Sequence, residues 1–286
     1  MTGERVTVVE VGPRDGLQNE AATVPAAEKV RFVELLADAG LPVVEVTSFV
    51  SPRAVPQLAD ADEVLPAVHR RDGVRYPVLV PNLRGLERAE AAGADAIAVF
   101  TAASEGFARA NVNMTIAETL AAFGPVLERA LGAGMWTRGY VSTAFGCPYD
   151  GPVVPAAVAR VAAELAALGC DEVSIGDTIG VAHPDDVRRV VSALLERIPA
   201  DRLALHFHDT YGRALADVEV GLELGVRTFD SSAGGTGGCP YAPGAPGNLA
   251  TEALCGLLDQ LGYQHGVDAV AVARAASAVR ASFVSP

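Results

Sequence analysis

One repeating unit decides the fold: VTVVEVGPRDGLQNEAATVPAAEKVRFVELLADAG, residues 6–40. Residues 6–11 are a short β-branched apolar run, and residues 26–39 carry the apolar spacing of a helix. Gly40 follows, where a left-handed helix C-cap favours a residue without Cβ. Strand, polar turn and helix in that order build a parallel sheet. Working outward, the pattern returns seven more times. Further strands are expected over 43–47, 76–80, 96–100, 137–142, 172–176, 203–207 and 228–231. Helices are expected over 60–68, 83–92, 116–131, 155–168, 184–198, 214–224 and 249–261. Gly93, Gly134, Gly169, Gly225 and Gly262 punctuate five of those helices as Gly40 does the first.

Eight βα units close as a barrel or lie open as a doubly wound sheet, and no glycine-rich dinucleotide fingerprint follows the first strand. The expectation is an α/β fold, a (β/α)8 TIM barrel forming a single catalytic domain over residues 1–286. Its barrel runs over about residues 5–262, with an additional C-terminal helix over about 266–282.

The chain has 22 Lys and Arg against 35 Asp and Glu, a net charge of -13. That argues against nucleic acid or an anionic membrane as partner and for a small molecule. Apolar runs are interrupted well before the roughly 18 residues a membrane span needs. Cys147, Cys170, Cys239 and Cys255 are scattered without a CxxC. With no basic, apolar leader after Met1, this fits free thiols in a reducing, cytoplasmic location.

In a barrel the chemistry sits past the carboxyl ends of the strands. Strand one runs into Arg14-Asp15, strand two contains Glu45, strand six ends at Asp177, and strand seven carries His206 and His208. Two residues apart on a strand, these histidines point to one face and can share a metal ion. Asp15 and Asn248, from adjoining strand ends, would add two oxygens. Two imidazoles, a carboxylate and an amide oxygen suit an octahedral divalent cation with open positions better than a closed zinc site. Cys239 lies in a glycine-rich loop able to deliver a thiol as a general acid, or is a small buried apolar residue. Arg14 is placed to stabilise developing negative charge, or to pair with Glu45, whose buried carboxylate needs a partner. Asp177 and Asn248 read equally as functional groups or as helix caps.

These residues fall in recognisable company. VEVGPRDGLQNE from Val9, EVTSFVSP from Glu45, GDTIG from Gly176, HFHDTYG from His206 and GGCPYAPGAPGNLATE from Gly237 resemble the motifs of 3-hydroxy-3-methylglutaryl-CoA lyases. The resemblance runs in order from Val6 to about Gly262. It implies that Asp15, His206, His208 and Asn248 bind the cation, Mg2+ or Mn2+. It implies that Arg14 polarises the thioester, that Glu45 and Asp177 support proton transfers, and that Cys239 acts catalytically. His206 or Asp177 would take the first proton. Arg14, Gln18, Ser48, Tyr140 and Thr178 are the expected substrate contacts.

The implied reaction is a retro-Claisen cleavage of the acyl-CoA substrate to acetoacetate and acetyl-CoA. The resemblance also implies a homodimer or larger homo-oligomer. Ala21 and Ala22 stand where the family often carries a basic residue, so contacts to the CoA phosphates do not carry over. A lyase for a longer or differently branched 3-hydroxyglutaryl-CoA, a related metal-dependent aldolase or acyl-CoA synthase, and a catalytically silent barrel are the alternatives.

Overall fold

A computed structural model of the protein describes residues 3–237 and 247–283. Among the described residues there are nine short parallel strands: β1 (Thr7–Glu10), β2 (Val43–Val44), β3 (Thr47–Ser48), β4 (Val78–Leu79), β5 (Ala96–Ala102), β6 (Trp136–Ser142), β7 (Glu172–Asp177), β8 (Leu203–Phe207) and β9 (Thr228–Ser231). β2 and β3 are halves of the one strand expected at 43–47. β2 pairs with β1, Glu45 N–H donates to the Glu10 carbonyl at 2.8 Å, and β3 pairs with β4. The same segment therefore hydrogen-bonds on both edges, and eight strands close into a barrel.

Alternation along the strands divides two environments. Outward residues such as Val8, Val44, Val78, Ile97, Val141, Val173, Leu205 and Phe229 form the main core against the helices. The inward set is mixed. Val9, Val11 and Val43 make one small apolar cluster, and Leu79, Ala98 and Tyr140 another. Between them lie buried Glu45, Arg138, Ser174 and Asp230. The strands are thus less uniformly apolar than burial on both faces implies.

The barrel is surrounded by α1 (Ala26–Asp38), α2 (Ala61–Ala67), α3 (Leu83–Ala91), α4 (Glu105–Val112), α5 (Ile116–Gly132), α6 (Pro155–Ala167), α7 (Pro184–Leu195), α8 (Ala214–Glu223) and α9 (Thr251–Leu261). Their ends follow local chemistry. Thr115 and Glu118 form a reciprocal capping box at the start of α5. The six glycines that punctuate the sequence all have positive φ, from +74° at Gly134 to +108° at Gly169. α4 was not expected: its eight residues include Gly106 and Asn111, poor helix formers, and its end is set by Asn113 at φ 55°. The last helix, α10 (Ala269–Ala281), lies on the outside of the barrel against α1 and α9, burying Val272, Ala275, Ala276 and Val279.

Candidate metal centre

After β1 the backbone makes a single wide turn, Gly12–Gly16, of π-helical form. The amides of Arg14, Asp15 and Gly16 all converge on the Val11 carbonyl. A π turn displaces side chains from α-helical spacing and recurs at functional sites. Here it buries Arg14 and leaves the Asp15 side chain 17% exposed at the mouth of the barrel.

The sequence from Ser232 folds back against this turn. Gly237, at φ 95°, passes so close to Gly16 that a Cβ on it would stand 2.8 Å from the Gly16 Cα. Further along the chain, Asn248 bridges to His208, and its Nδ2 donates to Asp15 Oδ2 at 2.9 Å and to the Thr236 carbonyl at 3.2 Å. These bonds fix which amide atom points where. α9 begins at Thr251 with Ala250 as its cap, so Asn248 is not a helix cap and the expected start at 249 shifts by two residues.

Asp15, His206 and His208 each offer a ligand atom, all within 4.8 Å of one another. Asn248 Oδ1 and His208 Nδ1 are buried without a hydrogen-bond partner among the described residues. An unpaired buried amide oxygen beside two imidazoles and a carboxylate fits a divalent cation. Burial alone would raise Asp15, but Arg14, His206 and His208 bring it down to about 2. Burial and the neighbouring His206 push His208 down to about 4. Near neutral pH the trio therefore presents an ionised carboxylate and a neutral His208, the forms that bind metal. His206 is raised: burial lowers it, and Asp230 and Asp15 outweigh burial.

Arg14 donates Nε to Glu45 Oε2 at 2.7 Å and Nη1 to Asp15 Oδ1 at 2.8 Å. The expected ion pair with Glu45 is therefore present beside the candidate ligand. Burial would lower Arg14, but the two carboxylates hold it well above its ordinary value. Tyr140 donates to Glu45 Oε2 at 3.2 Å, and its ring packs against the guanidiniums of both Arg14 and Arg138, 5.4 Å and 4.9 Å from its centroid.

Asp177 is buried and accepts from the amides of Val181 and Ala182, bracing the turn ahead of α7. Burial raises it to about 6, and these amides and His206 oppose the shift. Among the other expected substrate contacts, Gln18 is half-buried. Ser48 donates to the Leu79 carbonyl, and Thr178 Oγ1 accepts from Thr143 N–H. Cys239 lies outside the described residues. Cys147, Cys170 and Cys255 are buried free thiols, as read from the sequence.

Two buried carboxylates at this end of the barrel escaped the sequence reading. Asp230 accepts from Arg138 and Ser174, and Glu10 from Gly12 N, Ala233 N and Thr251 Oγ1. Each is an acid in an apolar strand, the signal that singled out Glu45.

The HMGL-like family model matches residues 5–279. The chain is 52% identical over 265 residues to a mitochondrial hydroxymethylglutaryl-CoA lyase of Rattus norvegicus, covering 93% of this chain and 82% of the relative. It is 51% identical to a cytoplasmic 3-hydroxy-3-methylglutaryl-CoA lyase of the same species, over 93% of this chain and 77% of the relative. In three dimensions it resembles the HMG-CoA lyase from Brucella melitensis, with a TM-score of 0.96 and 52% identity over 97% and 98% of the two chains.

Proposed function

Because the chain belongs to the HMGL-like family, we propose that it is a lyase cleaving 3-hydroxy-3-methylglutaryl-CoA to acetoacetate and acetyl-CoA. The observation that carries the reading is the convergence of Asp15, His206, His208 and Asn248 at one mouth of the barrel, with Arg14 beside them. These four residues would hold a divalent cation, Mg2+ or Mn2+. When bound, such an ion lowers the pKa of a substrate hydroxyl and polarises oxygens.

The chain's own groups do the rest. Arg14 is fixed by Glu45 and Asp15 through Nε and Nη1, which leaves Nη2 to meet the thioester oxygen as negative charge develops there. Tyr140 packs on the guanidinium and donates to the same Glu45 oxygen that Arg14 holds. Asp177, raised to about 6, is the candidate acceptor of the hydroxyl proton; His206, the other acceptor the sequence offered, spends one ring nitrogen on the cation and turns the other to Asp230. Cys239 returns a proton to the acetyl carbon once the carbon-carbon bond has broken.

Gln18, Ser48 and Thr178 complete the proposed substrate contacts. One catalytic unit, a cytoplasmic location and a homo-oligomer belong to the same proposal. Its support on location is the similarity to a cytoplasmic lyase, set beside a near-equal similarity to a mitochondrial one.

The test compares 3-hydroxy-3-methylglutaryl-CoA with longer 3-hydroxyglutaryl-CoA esters, using wild type and Cys239→Ala. The methyl substrate should have the highest kcat/KM, and the variant should lose kcat by about 100-fold or more. A longer ester preferred over the methyl substrate would reassign the acyl pocket, and undiminished kcat in the variant would remove Cys239 from the chemistry.

A further inference from the structure

A chain of polar groups, buried between its two partly exposed ends, crosses the barrel from Asp15 to His206. Arg14 links Asp15 to Glu45, and Tyr140 links Glu45 to Arg138, whose Nη1 donates to the tyrosine oxygen at 3.1 Å. Arg138 Nη2 then donates to Asp230 Oδ1 at 2.5 Å. Asp230 Oδ2 accepts from Ser174 Oγ at 2.9 Å and meets His206 Nδ1 at 3.2 Å. Arg138, Ser174 and the Asp230 side chain are fully out of solvent.

Donor and acceptor chemistry gives this chain a direction. Guanidinium only donates and an ionised carboxylate only accepts, so Asp230 paired with Arg138 has nothing but lone pairs to offer the imidazole. His206 must then carry its proton on Nδ1 to make the bond, which leaves the Nε2 lone pair free. We propose that Asp230, locked by Arg138 and Ser174, is a positioning residue that fixes the tautomer and ring orientation of His206, so that Nε2 faces a divalent cation shared with Asp15 and His208. The proposal rests on the metal-site reading above. A counter-ion serving Arg138 alone would not need the second oxygen to face His206, and Arg138 has another carboxylate, Glu172, 2.9 Å from its Nε.

Asparagine at this position makes a sharp test. Arg138 would claim the amide oxygen and turn the amide nitrogen toward His206, which could then accept only through an unprotonated Nδ1. Metal-free protein labelled with 15N-histidine contains five imidazoles, and His206→Gln assigns the relevant one. In alkaline buffer, wild-type His206 should carry its proton on Nδ1, and Asp230→Asn should move it to Nε2. Mn2+ titration should show affinity falling by about 10–100-fold in Asp230→Asn, as for outer-shell partners of metal-bound histidines. Ser174→Ala, which removes only a neutral donor, should fall less.

A wild-type His206 protonated on Nε2 overturns the proposal, and this measurement needs no folded variant at position 230. Mn2+ binding lost in His206→Gln but retained within about twofold in folded Asp230→Asn overturns the proposal and leaves the metal site standing. Mn2+ binding unchanged in His206→Gln overturns the metal-site reading, and the proposal with it.

Discussion

Glu45 has no exposed side-chain surface, and one of its oxygens carries the bond to Arg14. Truncating it would strand a guanidinium that is itself almost wholly buried. Removing one partner of a buried pair costs about 3–5 kcal/mol, because the remaining charge loses its compensation. Glu45→Ala should therefore lower the unfolding free energy in urea by about that amount, before any effect on activity. A loss under about 1 kcal/mol would mean that Tyr140 and Asp15 already suffice for Arg14. Asp15→Ala removes a proposed ligand together with a second partner of Arg14. It should abolish measurable Mn2+ binding in a calorimetric titration while the far-UV spectrum stays native; unchanged affinity would take Asp15 out of the ligand set.

At this scale the sequence was legible where one residue type breaks a local pattern. Glu45 in an apolar strand predicted its own partner, and the His206–His208 spacing predicted a shared face. The same rule, carried further, picks out Glu10 and Asp230. What it could not give was the pairing. Arg138 and Asp230 are 92 residues apart and meet only because the barrel closes, so no local signature joins them.

Between elements, the site depends on how tightly the turn after β1 and the segment after β9 are drawn together. Gly237 touches the backbone of Gly16, and its φ of 95° is strained for any residue with a side chain. Gly237→Ala should cost about 1–3 kcal/mol of stability. It should weaken Mn2+ binding as well, since the Cβ would also come within 3.1 Å of Asn248 Nδ2. Loss of stability with full metal affinity would separate the close approach from the site.

Glu10 ties the same two elements, accepting from Gly12 and Ala233 through Oε1 and from Thr251 through Oε2. Burial raises it from 4.5 to about 7, against the pull of those donors. The folded protein thus holds this proton more tightly than the unfolded chain. Its contribution is fully present below pH 4.5 and is lost as pH rises through about 7. The amount at stake is about 3 kcal/mol. His208, lowered to about 4, acts in the opposite sense, so the comparison must be made within one series. Glu10→Gln should lose relatively less stability than wild type between about pH 5 and pH 8. Parallel profiles for the two proteins would contradict the assignment.

For the whole molecule, eight apolar runs and their glycine stops made the barrel readable, because strand and helix punctuation is local. The polar interior and α4 were not. The first is made by residues that face one another only across the closed sheet, and the second is a single short helix of weak propensity. The charge balance, by contrast, has a direct consequence. A protein of net charge -13 meeting an anionic CoA ester should bind it faster as salt screens their repulsion. The kcat/KM should therefore rise with added salt at low ionic strength; a fall would reveal a local cationic patch steering the substrate.

The most direct measurement is cleavage of 3-hydroxy-3-methylglutaryl-CoA by protein stripped of metal with a chelator and then resupplied with Mg2+ or Mn2+, with acetoacetate and acetyl-CoA quantified together. Equimolar products that appear only after metal is restored, and that Asp15→Ala fails to form, are the predicted result. Cleavage that persists undiminished without metal, or no cleavage by protein shown to bind Mn2+, would contradict it.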